Sequence, residues 1–185
     1  MNLNSAIRNR RSTRAFSDKV VTNEMIALLF EAARWAPSAM NEQPWNYFWV
    51  HRKNRQKFDE VLNLLTGTNP DWAKNAQVII VSVARKFYKY NNKPHRTALH
   101  DTGAANISIA LQAAEMGLQV RQMGGFDREK AAAYFQLDTE KFELATFMAV
   151  GFPGEVEQLP EDLKIRELQP RTRKTINEFT TELKD

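Results

Sequence analysis

The stretch Ala36-Pro37-Ser38-Ala39-Met40-Asn41-Glu42-Gln43-Pro44-Trp45 fixes a corner of the fold. A helix runs into it, proline stops that helix, a small polar loop follows, and an aromatic strand begins. Upstream, Thr22 is a good helix N-cap, and Glu24 puts a negative charge in the first turn, where the helix dipole favours it. Met25, Leu28, Leu29, Ala32, Ala33 and Ala36 then share one helical face. Downstream, Trp45 to Val50 is β-prone.

Similar signals divide the rest of the chain. Leu3 to Asn9 reads as a short helix. Arg55 to Leu65 is amphipathic, with Phe58, Val61, Leu62 and Leu65 as its stripe and Gly67 as its stop. Gln77 to Ala84 contains Val78-Ile79-Ile80-Val81, the pattern of a buried strand. Thr97 to Met116 is a long helix rich in small residues, ended by Gly117. Leu118 to Met123 is a short strand broken by Gly124-Gly125, and Asp127 caps a helix to about Gln136. Leu144 to Phe152 is a strand closed by Pro153. A polar stretch follows, and Arg171 to Leu183 reads as extended and then helical. The series lacks strict βαβ alternation, which argues for an α+β fold with an antiparallel or mixed central sheet.

A chain of 185 residues fits one domain over 1–185, with 169–185 as a C-terminal extension. The absence of cysteine excludes disulfides, thiolate metal sites and a cysteine nucleophile. No apolar run approaches the roughly 20 residues of a membrane span. Residues Met1 to Arg8 lack the apolar core of a signal peptide, so a cytoplasmic location is expected. His51, His95 and His100 show no metal-ligand spacing with acidic partners, so no metal is expected. The net charge of +4 favours anionic partners: nucleic acid, lipid headgroups or phosphorylated cofactors.

Arg8, Arg10, Arg11 and Arg14 fall close together with Ser12 and Thr13 between them. Guanidinium forks and hydroxyls match the oxygens of a phosphate monoester. A solvated basic helix end or a nonspecific nucleic-acid patch has the same composition. Arg171-Thr172-Arg173-Lys174 repeats the pattern far along the chain, and spacing alone does not bring the two clusters together. In the corner loop, Asn41 and Gln43 donate and accept in one plane, which suits the edge of a flavin; an ordinary helix cap and turn reads the same way. Gly124-Gly125 lets backbone approach a ligand closely, or simply turns the chain. Arg85 to Arg96 interleaves basic and aromatic residues, which fits a solvated loop, a flap over a cofactor or a single-strand nucleic-acid surface.

Taken in order, Arg-Arg-Ser-x-Arg-x-Phe at 10–16, Ala-Pro-Ser-x-x-Asn-x-Gln-Pro-Trp at 36–45, the small-residue helix from Asp101, Met123-Gly124-Gly125-Phe126-Asp127, Val150-Gly151-Phe152-Pro153 and Arg171-Thr172-Arg173 resemble the FMN-dependent nitroreductase family. The resemblance covers roughly residues 3 to 180. It implies a mostly antiparallel central sheet flanked by helices, built as an intertwined homodimer with FMN at the interface. It implies that Arg10, Arg11, Ser12 and Arg14 meet the FMN phosphate, ribityl chain and ring edge, and that Arg171 and Arg173 complete the phosphate site. Pro37, Ser38, Ala39, Asn41 and Gln43 would reach the partner subunit's flavin. Met123, Gly124 and Gly125 would lie along the ring, with the Gly124 amide near N5. Gly103, Ala104 and Ala105 would let helices approach across the two-fold axis.

Two stretches depart from the pattern. Larger members place an Asn and a Lys where this chain reads Thr68 to Lys74, and Arg121 and Gln122 are unusually polar for positions beside the ring. The activity implied is electron transfer from NADH or NADPH to nitroaromatics, quinones or similar small acceptors, in ping-pong fashion on the flavin, with no side chain as nucleophile. The alternatives are a flavin-dependent dehalogenase or other specialised relative, a flavin-binding protein without turnover, and last a basic nucleic-acid module.

Overall fold

Trp45–His51 (β1), Val78–Arg85 (β2), Gln119–Met123 (β3) and Phe142–Gly151 (β4) form one antiparallel sheet in the order β1-β2-β4-β3. The structure is a computed structural model that describes residues 2–183, so the first residue and the last two of the expected extension lie outside it. The helices are Ser5–Asn9 (α1), Asn23–Arg34 (α2), Arg55–Leu62 (α3), Asn69–Ala73 (α4), Ala98–Glu115 (α5), Arg128–Tyr134 (α6) and Glu161–Leu168 (α7). The α+β class and the antiparallel sheet are as the sequence implies. Among the described residues no helix is long and apolar enough to cross a membrane.

Alternation along β2 builds two cores. Val78 and Ile80 face α2 and α5, where Ile26, Leu29, Ile109 and Ala113 are buried. Ile79, Val81 and Val83 face the other way, onto Phe58, Trp72, Phe147 and Leu163. Fully burying such a side chain contributes roughly 1.5–3 kcal/mol. The inner strands β2 and β4 are therefore buried over most of their length on both faces, while the outer strands β1 and β3 leave more of their residues exposed.

The N-terminal arginine segment is stitched to the end of β4. Phe16 is buried, stacks with Trp72 at 6.3 Å and bridges Pro153. Ser17 donates its amide to Phe152 O at 3.0 Å, and Gly154 donates to Ala15 O at 2.9 Å. This anchor delivers residues 10–14 to one place beside β3.

Several expectations need correction. Leu28, expected on the buried face of α2, is 51% exposed, and Ile26 takes that role. The polar stretch after Pro153 contains α7, which buries Leu163. Thr68 to Lys74 forms α4, with Trp72 in the core. The last segment holds a single 3-10 turn, Ile176–Glu178, rather than a helix; Thr175 and Glu178 close it as a reciprocal cap. Of the small residues of α5, Ala105 is fully buried in the core of this chain, whereas Gly103 is exposed.

Candidate active site

The arginines from both ends of the chain do meet. Arg10, Arg11, Ser12 and Arg14 share a cavity of about 190 Å³ with Arg171 and Arg173. The contact is direct: the Arg171 guanidinium donates to Arg10 O at 2.9 Å and to Arg8 O at 2.8 Å. Arg10 donates to Ser12 Oγ at 3.1 Å.

Strand β3 supports this cluster from below. The Gln119 side-chain oxygen accepts from the Arg11 amide at 2.6 Å, and Arg121 donates to Ser12 O. Helix α7 closes the far side: Glu167 accepts from the Arg14 amide at 3.2 Å and pairs with its guanidinium at 3.3 Å. Arg121, Arg166, Glu167 and Gln169 line the cavity and were not among the residues expected from sequence. Only Arg121 left a signal, as a charge within a strand.

Positive charge is in excess here, since Glu167 is the one carboxylate among the lining residues. Burial, with the nearby Arg14 guanidinium adding to it, pulls Arg121 down to about 10. Burial, then Arg173 and Arg171, lowers Arg10. Fixed guanidinium groups that disfavour one another's charge in a small cavity suit a dianionic ligand, which would relieve the repulsion and use their forked geometry. The donor set fits a phosphate monoester.

Gly124 and Gly125 follow directly on β3, so they continue the line of Arg121 past Met123. A side chain at Gly124 would meet nothing within 4 Å, so the backbone there is open to a ligand. Gly125 is backed by α4: its carbonyl accepts from the Asn69 side chain at 3.1 Å and the Thr66 amide at 3.0 Å. Met123 is different. Its side chain is buried in the core and its carbonyl accepts from Thr146 Oγ1 at 2.8 Å, so it offers a ligand no side chain.

The corner loop is strained. Met40, Asn41 and Gln43 have φ of 54°, 54° and 47°, in the left-handed region. Asn tolerates this conformation; for other side chains it costs roughly 1–2 kcal/mol per residue. Gln43 donates its amide to Ser38 Oγ at 2.9 Å and its side chain to Asn41 Oδ1 at 3.2 Å, while Pro37 is exposed. Ala39 donates its amide to Asp101 Oδ2 at 2.9 Å.

This loop does not join the arginine cavity of its own chain. It precedes Trp45 on β1, and the arginines rest on β3, the opposite outer strand. Three strand spacings, roughly 14 Å, separate the two edges.

The segment 85–96 is an ordered hairpin. Phe87 bridges Pro94, Tyr88 donates to Lys93 O at 2.9 Å, and Asn92 turns the chain with φ of 54°. Arg85 is committed to Glu42 at 2.7 Å and so is withdrawn from the basic surface. His95 and His100 both lie against one acid, Asp101, at 3.2 and 3.0 Å. Among the described residues no group of three or more His, Cys, Asp or Glu is arranged to hold a metal ion.

Four similarities to known proteins bear on this arrangement. A family model described as the Nitroreductase family matches residues 7–152. A protein of Archaeoglobus fulgidus, provisionally named NADH dehydrogenase/NAD(P)H nitroreductase, is 32% identical over 152 residues, covering 80% of this chain and 83% of that one. A crystal structure described as an oxidoreductase containing FMN superposes with a TM-score of 0.91 at 30% identity, over 98% of this chain and 92% of its own. A structure from Desulfovibrio desulfuricans, described as a nitroreductase by inference and in complex with FMN, shares the fold at a TM-score of 0.76 and 24% identity, covering 97% and 95%.

Proposed function

The chain belongs to the nitroreductase family, and on that premise we propose that it is an FMN-dependent NAD(P)H oxidoreductase reducing nitroaromatics, quinones or similar electron-poor acceptors in a ping-pong cycle. The observation that supports this best is the union of Arg10, Arg11, Ser12 and Arg14 with Arg171 and Arg173 in one small cavity. These residues would hold the phosphate and ribityl chain. Arg14 would face the ring edge, and the backbone at Gly124 and Gly125 would run beneath the ring. Pro37, Ser38, Ala39, Asn41 and Gln43 would reach the flavin of the partner subunit.

Bound FMN supplies the redox chemistry, taking electrons from NADH or NADPH and giving them to the acceptor. The protein's share is binding and electrostatics. The guanidinium of Arg14, oriented by Glu167 at 3.3 Å, is a fixed positive charge that would stabilise negative charge on the ring edge. The Gly124 amide would donate to the ring without a side chain in the way. Asn41 and Gln43, whose amide groups already bond to each other, would set the face that acceptor and donor share in turn.

The same reading calls for a homodimer, because the two halves of the proposed site lie on opposite edges of the sheet. Exposed apolar residues on and just after α2 and on α5, among them Leu28, Trp35, Leu99 and Ile107, supply surface that association would bury. We further propose one flavin-binding domain over 1–185 with 169–185 as its extension, a small-molecule acceptor rather than a nucleic acid or membrane as partner, and a cytoplasmic location.

The test is spectroscopic. The purified protein, loaded with FMN if needed, should be yellow, release FMN on denaturation and bleach rapidly with NADH or NADPH in the absence of oxygen. Steady-state rates at varied acceptor should then give parallel reciprocal lines. A colourless protein that takes up no FMN contradicts the cofactor, slow bleaching contradicts the enzyme, and intersecting lines contradict the ping-pong order.

A further inference from the structure

Two carboxylates that take no part in the phosphate or ring contacts hold the strained loop in place. Asp101 lies in the first turn of α5 with its side chain 5% exposed. One of its oxygens accepts from the Ala39 amide at 2.9 Å and from Thr97 Oγ1 at 3.2 Å, and lies 3.2 Å from the ring of fully buried His95. Its other oxygen meets His100 at 3.0 Å. Glu42, inside the loop, is 2.7 Å from the Arg85 guanidinium and accepts the Lys89 amide at 3.0 Å.

Lys89 and His95 belong to the hairpin after β2, and Arg85 is the last residue of β2, where that hairpin begins. That hairpin is itself tied down: His95 donates its amide to Lys86 O at 2.8 Å, and Tyr88 stacks on the His95 ring at 4.2 Å. Left-handed backbone at non-glycine residues persists only where the surroundings over-determine it. Here the surroundings are one carboxylate from outside the loop, one from within it, and a basic hairpin that both engage.

We propose that Asp101 and Glu42 are positioning residues for the flavin ring. They lock loop 37–43 against the hairpin 85–96, so that the amide groups of Asn41 and Gln43 meet the ring in a single arrangement. The hairpin is a brace, and its buried contacts, not its exposed lysines, are what the site uses. This role rests on the assignment of the loop to the ring given above.

The experiment titrates FMN and riboflavin against the wild type, Asp101→Ala, Glu42→Ala and Arg171→Ala, with circular dichroism and thermal melting to monitor folding. Riboflavin carries the ring without the phosphate. In both carboxylate variants the two flavins should weaken by the same factor, about tenfold or more, and the visible circular dichroism of bound FMN should change. In Arg171→Ala only FMN should weaken. Either variant alone suffices if the other fails to fold. Wild-type affinity for both flavins in a folded Asp101→Ala or Glu42→Ala protein overturns the role, as does loss of FMN affinity without loss of riboflavin affinity. A wild type that binds neither flavin overturns the ring assignment, and this role with it.

Discussion

Gly124 and Gly154 separate two uses of one residue type. A Cβ at Gly154 would sit 2.6 Å from the Phe16 carbonyl carbon and 2.7 Å from its oxygen, both backbone atoms that cannot swing aside. Gly154→Ala should therefore cost about 2 kcal/mol or more and lower the melting temperature by several degrees. A Cβ at Gly124 would meet nothing within 4 Å, so Gly124→Ala should melt like the wild type. If the flavin ring passes over that backbone, the same substitution weakens FMN binding, and titration beside melting reads both. Arg171 lines the cavity with its guanidinium seated on the Arg10 and Arg8 carbonyls, so Arg171→Ala removes one charged group, worth roughly 1.5–3 kcal/mol, and should weaken FMN about tenfold or more. At this scale the arginines and loop residues were legible because their chemistry is local: forks, amides and hydroxyls within a few positions. Glu167 was not, because its partner Arg14 is 153 residues away and nothing near either position signals the other. Met123 reads as a site residue from its neighbours, yet its side chain turns into the core, which only the register of β3 decides.

Among the elements, the braced loop carries the clearest pH dependence. The Arg85 guanidinium, then the Lys89 amide, hold the Glu42 carboxyl below its ordinary 4.5. Burial alone would raise Asp101, but hydrogen bonds from His100, the Ala39 amide and Thr97 together bring it below its ordinary 3.8. Both folded values are depressed. Their contribution is therefore complete above the ordinary values and is lost as pH falls through the lower, folded ones. Flavin fluorescence should show release beginning as pH drops below about 4.5, and Glu42→Gln should flatten the first part of that curve. Release that is the same in the variant would detach Glu42 from the loop's stability. The missed elements share a physical cause. Helix α7 buries only Leu163 among its eight residues, and α4 is five residues long with a proline in its first turn, so neither shows an apolar stripe. Helices α2, α3 and α5 were legible because caps, stops and stripes coincide in them.

For the whole molecule, the strands were legible from their β-branched and aromatic runs, but their order was not. Contrary to the irregular alternation read from the sequence, a helix lies between each successive pair of strands, yet every pairing is antiparallel. Only the assembled sheet puts short, polar β3 on one edge and β1 on the other. Edge strands tolerate charge because their outer side is not packed. That is why Arg121 can sit on β3, and why the two halves of the proposed site end up across the sheet from each other. In the proposed dimer the arginines of one subunit and the loop of its partner enclose one flavin. Co-expression of two differently altered copies puts this shared site to the test. One copy would carry Arg171→Ala with Arg173→Ala; the other would carry Asn41→Gly, which the positive φ of Asn41 accommodates. Each variant alone should bind FMN weakly. Random pairing in a two-fold dimer should regenerate intact sites, about a quarter of the total, each composed of unaltered arginines and an unaltered loop. FMN titration of the mixture should find that fraction at wild-type affinity, and a mixture no better than its two parents would contradict the shared site.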